Sequence, residues 1–310
     1  MLTGVLTPTG KRIALANGPA RAEVGTVAAV LCSLRVGGVQ LTEPLAPDAA
    51  PTFCSGTVLV PWPNRVRDAR WNHRGRELRL DVTEPARGNA LHGLLQFTEH
   101  EVRERSDSSV TLGAPVPPQH GWPFLLDSWV RFELRPDGLD VHHGVSNRGD
   151  EPAPYATGFH PFLRLGDTPV EELALTVPAA SYFAVDDRLN PVGELAVEDT
   201  PFDLRRPRLV GDLELDTAFG GLTPRDRVSA QLVARDGATL SVLQDDDWEY
   251  LQVFTTSVFP GEGGPKSAIA IEPMTAPPDA LNSGLGLRWL EPGELWEGSW
   301  GLRYAEGATP

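Results

Sequence analysis

The segment 129-WVRFELRPDGLDVHHGVSN-147 decides the fold class. Val130, Phe132 and Leu134 fall on alternate positions, hence on one face of an extended chain, and Leu139, Val141 and Val145 resume that face after Pro136-Asp137-Gly138. Proline presets a turn φ and glycine accepts positive φ without a steric penalty, so the interruption is turn chemistry. The stretch predicts a β-hairpin with one buried face. His142 and His143, being adjacent, point to opposite faces and cannot chelate one ion together.

The same pattern recurs along the chain. In 228-VSAQLVARDGATLSVLQ-244, Asp236-Gly237 sits between two alternating runs and predicts a second hairpin. Further runs lie at 24–41, 77–82, 173–177 and 250–256. With 31 Gly and 29 Pro spread throughout, a mostly helical fold would be interrupted everywhere. The expected class is all-β and antiparallel. The proline-rich stretches 43-EPLAPDAAP-51 and 115-PVPPQHGWP-123 are short surface crossings rather than linkers. Residues 1–310 therefore read as one domain, and 41% hydrophobic side chains suffice for one large core.

Charge narrows the function classes. Forty-two Asp and Glu against 27 Lys and Arg give a formal charge of −15, so there is no basic field for a phosphate backbone and nucleic acid is not an expected partner. Cys32 and Cys54 are too few for a disulfide framework and read as buried thiols. The opening MLTGVLTPTGKRIALANG lacks an apolar leader core, and no run approaches the ~20 apolar residues of a membrane span. The expected location is the cytoplasm, with no membrane partner.

Chemistry is concentrated in three places. In 268-AIAIEPMTAPPDALNSG-284, a strand from Ala268 would put Ala270 and Glu272 on one face and Ile269 and Ile271 on the other, so that the carboxylate overlooks a floor of methyl groups. Pro273 cannot donate a ladder hydrogen bond, and the strand is expected to end there at a sheet rim. His92 in 88-GNALHGLLQF-97 and His160 in 156-ATGFHPFLRL-165 stand beside Gly or Pro, where a turning chain presents a side chain. Taken alone, a glutamate at the position of Glu272 is more often an exposed strand-end carboxylate, and a lone histidine is usually a satisfied core residue. Together they make a possible acid/base set.

The segments NALHG (89–93), GFHPFLRL (158–165), ELDTAFGGL (214–222), AIEPMTAPPDALNSG (270–284) and LEPGELWEGSW (290–300) resemble, in order, the successive motifs of the aldose 1-epimerase (galactose mutarotase) family. The resemblance runs from about residue 60 to the end of the chain. It implies that family's large antiparallel β-sandwich and the anomer interconversion of a small-molecule sugar, without metal, nicotinamide or other cofactor. By the same resemblance Glu272 is the general base, His160 the general acid and His92 the further active-site histidine. Asp216 is the sugar-binding aspartate, and Asn64 and Arg65, in 61-PWPNRVRDARW-71, are the pair that contacts sugar hydroxyls. One departure stands out: where the better-known galactose mutarotases follow a YTT segment with Gln-Pro-Gly, this chain reads 254-FTTSVFPGEGG-264, so a glutamine contact is missing.

Three rival readings remain. Arg65, Arg67, Arg70, Arg74 and Arg76 could hold the phosphate of a hexose 6-phosphate, although alternate residues on an extended segment face opposite ways. A sandwich rim with Trp, Arg and Asp could bind carbohydrate without chemistry. A glycoside hydrolase would need Asp216 as the second carboxylate. Trp62, Trp71, Trp122, Trp248 and Trp296 could include a stacking platform for a sugar ring, with core packing the commoner role. Asp245-Asp246-Asp247 lacks the spacing of a calcium loop and reads as a solvated turn. The sugar and the oligomeric state stay open.

Overall fold

A computed structural model describes residues 7–307; the first six residues of the leader reading and the last three of the chain lie outside it. The quoted hairpin consists of Leu126–Arg135 and Gly138–Asn147. Arg135 pairs with Gly138, leaving Pro136 and Asp137 as the turn. Burial alternates along the first strand because every second side chain meets the core. His143 points inward, its Nδ1 3.3 Å from Thr157 Oγ1 and its Nε2 accepting from the Trp300 indole at 3.2 Å, while His142 is half-buried on the other face. The second hairpin pairs Val228–Val233 with Thr239–Gln244. Its connection is longer, residues 234–238, and is closed by Asp236 Oδ1 accepting from the Ala238 N–H at 2.9 Å.

The strand Leu295–Ala305 lies between these hairpins at the centre of a nine-stranded sheet. A second, eight-stranded sheet has the order Pro191–Ala196, Ala179–Val185, Asp216–Leu222, Tyr250–Gly261, Gly264–Met274, Gly158–Phe159, Val58–Leu59, with Phe162–Leu163 also paired to Gly264–Met274. A four-stranded sheet runs from Arg12–Asn17 to Val39–Gln40. The strands of all three pair antiparallel.

The two large sheets meet through their apolar faces. Phe159 of the second sheet packs on Phe132 and Trp300 of the first, with ring centroids 5.9 and 4.8 Å apart. One core cluster takes in Ile13, Val141, Leu240, Ile269, Ile271 and Leu302. Truncating Phe159 to alanine would open a cavity between the sheets at a cost of about 3–5 kcal/mol.

Three sequence expectations need correction, and the tryptophans take the commoner of their two readings. The strand carrying Glu272 does not stop at Pro273 but runs to Met274 in the sheet interior. Ile271 N–H donates to the Pro161 carbonyl and Thr275 N–H to the Thr157 carbonyl. Alternation puts the missing N–H of Pro273 on that same side, where the neighbouring strand is interrupted between Phe159 and Phe162. The 24–41 run is not continuous: Ala28 and Ala29 adopt φ +56° and +45°, and the chain divides into strands ending at Gly25, Val36 and Gln40. All five tryptophans considered as sugar platforms are buried in the core cluster. Cys54 is partly accessible rather than buried. Helix among the described residues amounts to Ala280–Ser283 and four 3₁₀ turns, and no helix is long and apolar enough to cross a membrane.

Candidate active site

The strand Gly264–Met274 divides its side chains as expected. Ile269 and Ile271 enter the main core, whereas Ala268 and Ala270 join Phe162 and Phe259 on the opposite face, which Glu272 shares. Register assembles that face. Gln252 stands directly opposite Glu272, Phe254 opposite Ala270, and Asp216 opposite Phe254. Three polar groups from three neighbouring strands are thus brought together over a floor of small and aromatic side chains.

On the other flank of Glu272 the ladder gap admits His160. Its backbone is pinned on both sides, the N–H donating to the Thr57 carbonyl at 3.1 Å and the carbonyl accepting from the Gly56 N–H at 2.7 Å. His160 Nε2 lies 3.3 Å from Glu272 Oε1, with both side chains buried.

His92 arrives from a separate short ladder, Arg65–Val66 against Ala90–Leu91. Asn64 and His92 flank it in the left-handed region, φ +56° and +59°, and bond reciprocally: His92 N–H donates to the Asn64 carbonyl at 2.8 Å and Asn64 N–H to His92 Nδ1 at 3.2 Å. With Nδ1 an acceptor, a neutral ring carries its proton on Nε2. Gly93 makes this placement possible. At φ +77° a Cβ there would lie 2.0 Å from the Val60 carbonyl oxygen. The His92 ring stands edge-on to His160 with centroids 5.3 Å apart.

Arg65 is held by Glu84 through Nε at 3.0 Å and Nη2 at 3.1 Å, and its Nη2 lies 3.6 Å from Asp216 Oδ2. Burial pushes the Glu84 carboxyl up, but hydrogen bonds from Arg65 and Asn89 and the nearby Arg87 charge outweigh it and hold the group below the usual range. Gln252 Nε2 donates to Asp216 Oδ1 at 2.6 Å.

Burial sets the protonation of the centre. Desolvation raises the Glu272 carboxyl well above its usual value, with the Asp216 charge adding to the effect and Arg65 opposing it. Desolvation lowers His160 to about 4 and His92 well below the ordinary imidazole value, Arg65 disfavouring both cations. Each group is pushed toward its neutral form. Cys54 nearby, though it keeps partial surface access, is raised to about 12 by the desolvation it does undergo and by the Glu272 charge, which keeps its thiol protonated.

All six residues singled out from the sequence, Asn64, Arg65, His92, His160, Asp216 and Glu272, line one cavity of about 250 Å³. That is below the roughly 300–1,000 Å³ of drug-sized sites and suits a single small ring. Glu84, Gln252, Phe53, Cys54 and Phe254 line it too and were not anticipated. Gln252 had a signal: it is a polar residue in phase with Phe254 and Tyr250 inside a strand run. Glu84 had none, since only the folded chain brings it to Arg65. The arginine run is not a common cluster. Arg65, Arg67, Arg70 and Arg74 each face a different carboxylate, Glu84, Asp279, Glu77 and Glu151.

Comparison with known proteins identifies the family and the fold. Residues 11–303 match the family model described as aldose 1-epimerase. The chain is 33% identical over 287 residues to the uncharacterised protein YihR of Escherichia coli, covering 92% of this chain and 91% of that one. It is 31% identical to mouse galactose mutarotase over 166 residues, 50% of this chain and 46% of that protein. Among solved structures, galactose 1-epimerase from Lactobacillus acidophilus superposes with a TM-score of 0.82 at 21% identity, covering 96% of this chain and 95% of that one. The GalM/aldose epimerase homologue from C. elegans gives 0.82 at 20%, covering 96% and 99%. At such identities these structures speak to the fold, the antiparallel sandwich described above. The match to the family model over nearly the whole chain and the long alignment to YihR together establish that this chain belongs to the aldose 1-epimerase family.

Proposed function

We propose that this chain interconverts the α and β anomers of a free aldose by acid/base-catalysed ring opening, with Glu272 as base, His160 as acid and residues 1–310 acting as one domain. The observation that carries the reading is the buried contact of His160 Nε2 with Glu272 Oε1 at 3.3 Å in a cavity of sugar size. The hydroxyl oxygen O1 and the ring oxygen of an aldose share one carbon, so the base for one and the acid for the other must be neighbours. Glu272 takes the proton from O1–H as His160 gives one to the ring oxygen, the C1–ring oxygen bond breaks, and the aldehyde forms. After rotation about the C1–C2 bond the same transfers run in reverse and close the ring on either face. The pair holds one proton throughout. It is neutral in the open-chain state, the form that burial favours, so the low-dielectric site stabilises the intermediate relative to water. His92, its Nε2–H free to donate, supports the charge developing at the ring oxygen. Arg65, Asp216 and Asn64 hold ring hydroxyls.

A phosphate-bearing substrate is disfavoured, because the Arg65 guanidinium is already engaged by Glu84 and its neighbours by other carboxylates. The test is polarimetry across freshly dissolved aldoses and their 6-phosphates, corrected for spontaneous mutarotation. Acceleration of free sugars is expected. Acceleration confined to the phosphates would overturn the substrate class, and sugar binding without acceleration would leave a carbohydrate-binding protein.

A further inference from the structure

We infer that the outward face of the nine-stranded sheet carries a second, non-catalytic carbohydrate site, a trough of about 420 Å³ built on Trp129 that takes two rings of a neutral saccharide. It shares no residue with the cavity around Glu272 and does not rest on the anomer-interconversion reading above. Val130 and Phe132 enter the main core, so Trp129, Arg131 and Glu133 face the other way. Glu272 likewise leaves its own sheet on the side away from that core. The trough and the cavity therefore open on opposite outer faces of the sandwich.

Trp129 is a half-buried tryptophan where alternation calls for a polar side chain, so core packing does not account for it. Its cross-strand partners on both flanks are glycines, Gly113 and Gly144. A Cβ on Gly144 would lie 2.1 Å from Trp129 Cε2 and 2.2 Å from Cζ2, so the indole extends over that residue and glycine is what leaves it room. Glu297 stands opposite Gly144 on the next strand, which sets an exposed carboxylate just beyond the ring. In the following row Arg131, His142 and Ser299 stand side by side, and Ser299 Oγ donates to Asp245 at the margin. From Trp129 to Glu133 the strand advances about 13 Å, the length of two pyranose rings in line. A pyranose has a C–H face that packs on an indole and a rim of hydroxyls that donate and accept, and the trough offers an aromatic surface beside partners of both kinds. Charge decides against an ionic ligand. Glu133 lies 3.6 Å from Arg131 and 3.2 Å from Arg135, and Asp245 pairs with Arg227, so little uncompensated field is left to hold a free cation or anion. Neutral hydroxyls bond to such groups without breaking the pairs.

The probes are methyl β-maltoside, methyl β-cellobioside and trehalose, which lack the free anomeric hydroxyl that the proposed Glu272 base acts on, with methyl α-glucoside as a single-ring control. Nitrogen-15 correlation spectra resolve the indole N–H groups, and the signal lost in Trp129→Phe is that of Trp129. At least one disaccharide should move this signal saturably and bind more tightly than the single ring. Trp129→Ala should weaken that binding about 10-fold in a calorimetric titration, and Glu297→Ala, which leaves the ring in place, about 3-fold or more. If Trp129→Ala fails to fold by near-ultraviolet circular dichroism, Glu297→Ala decides alone. No saturable movement with any of the three disaccharides overturns the inference. Binding that persists unchanged in the variants overturns it too, since the sugar would then lie elsewhere, as does movement by tetramethylammonium or phosphate but by no sugar. Because none of these readouts involves turnover, this site and the proposed anomer interconversion stand or fall separately.

Discussion

At ordinary values of about 4.3 and 6.5, Glu272 would ionise before His160 lost its proton, and the alkaline limb of an activity profile would belong to the histidine. Burial reverses the order, raising Glu272 well above its usual value and lowering His160 to about 4. Moving His160 from 6.5 to about 4 amounts to roughly 3 kcal/mol against the imidazolium. As pH falls through about 4 the imidazole takes up a second proton for the pair. As pH rises through the raised carboxyl value the pair loses its only proton. Between these limits it carries the single proton that ring opening needs. Polarimetric rates, corrected for background, should therefore fall on the acid side as His160 takes up its proton near pH 4, with the alkaline limb set by the raised Glu272 carboxyl and not by His160. Nitrogen-15 shifts of the His160 ring should report a neutral imidazole at pH 6. An alkaline limb near 6.5, together with a His160 imidazolium at pH 6, would refute the reasoning.

Glu272→Gln should keep the fold and sugar binding while lowering turnover by about 10² or more, and His160→Ala should impair turnover severely; near-normal rates in either would remove that residue from the mechanism. Arg65→Ala should weaken sugar binding, and it should also destabilise the chain by about 3 kcal/mol because Glu84 is left buried without its main partner, which a urea midpoint would register. Gly93→Ala should displace His92 through the 2.0 Å clash with the Val60 carbonyl, so that both thermal midpoint and turnover fall; an unaltered turnover would show that His92 is dispensable.

The hairpins were legible because alternation and turn residues are local properties: Pro136-Asp137 and Asp236-Gly237 mark the chain reversals wherever the strands go. The six cavity residues were legible through motif resemblance. Pro273 misled because its missing N–H was read as the end of a strand, when it lies beside a break in the neighbouring one. Gln252 and Glu84 depend on pairings between distant segments, which local pattern does not encode. The inverted acid/base order has the same origin: it comes from desolvation, and desolvation exists only once the sheets have closed.

The dispersal of the site over separate strands gives the chain a use as a divided reporter. Thr223 to Asp226, accessible between Asp216–Leu222 and Val228–Val233, separate a first portion holding His92, His160 and Asp216 from a second holding Gln252 and Glu272. Opening the chain there parts the proposed acid from the proposed base. Sugar turnover could then return only when the two pieces dock and restore the ladder between Asp216–Leu222 and Tyr250–Gly261. Fused to two interacting proteins, such halves would turn an association event into an optical-rotation signal.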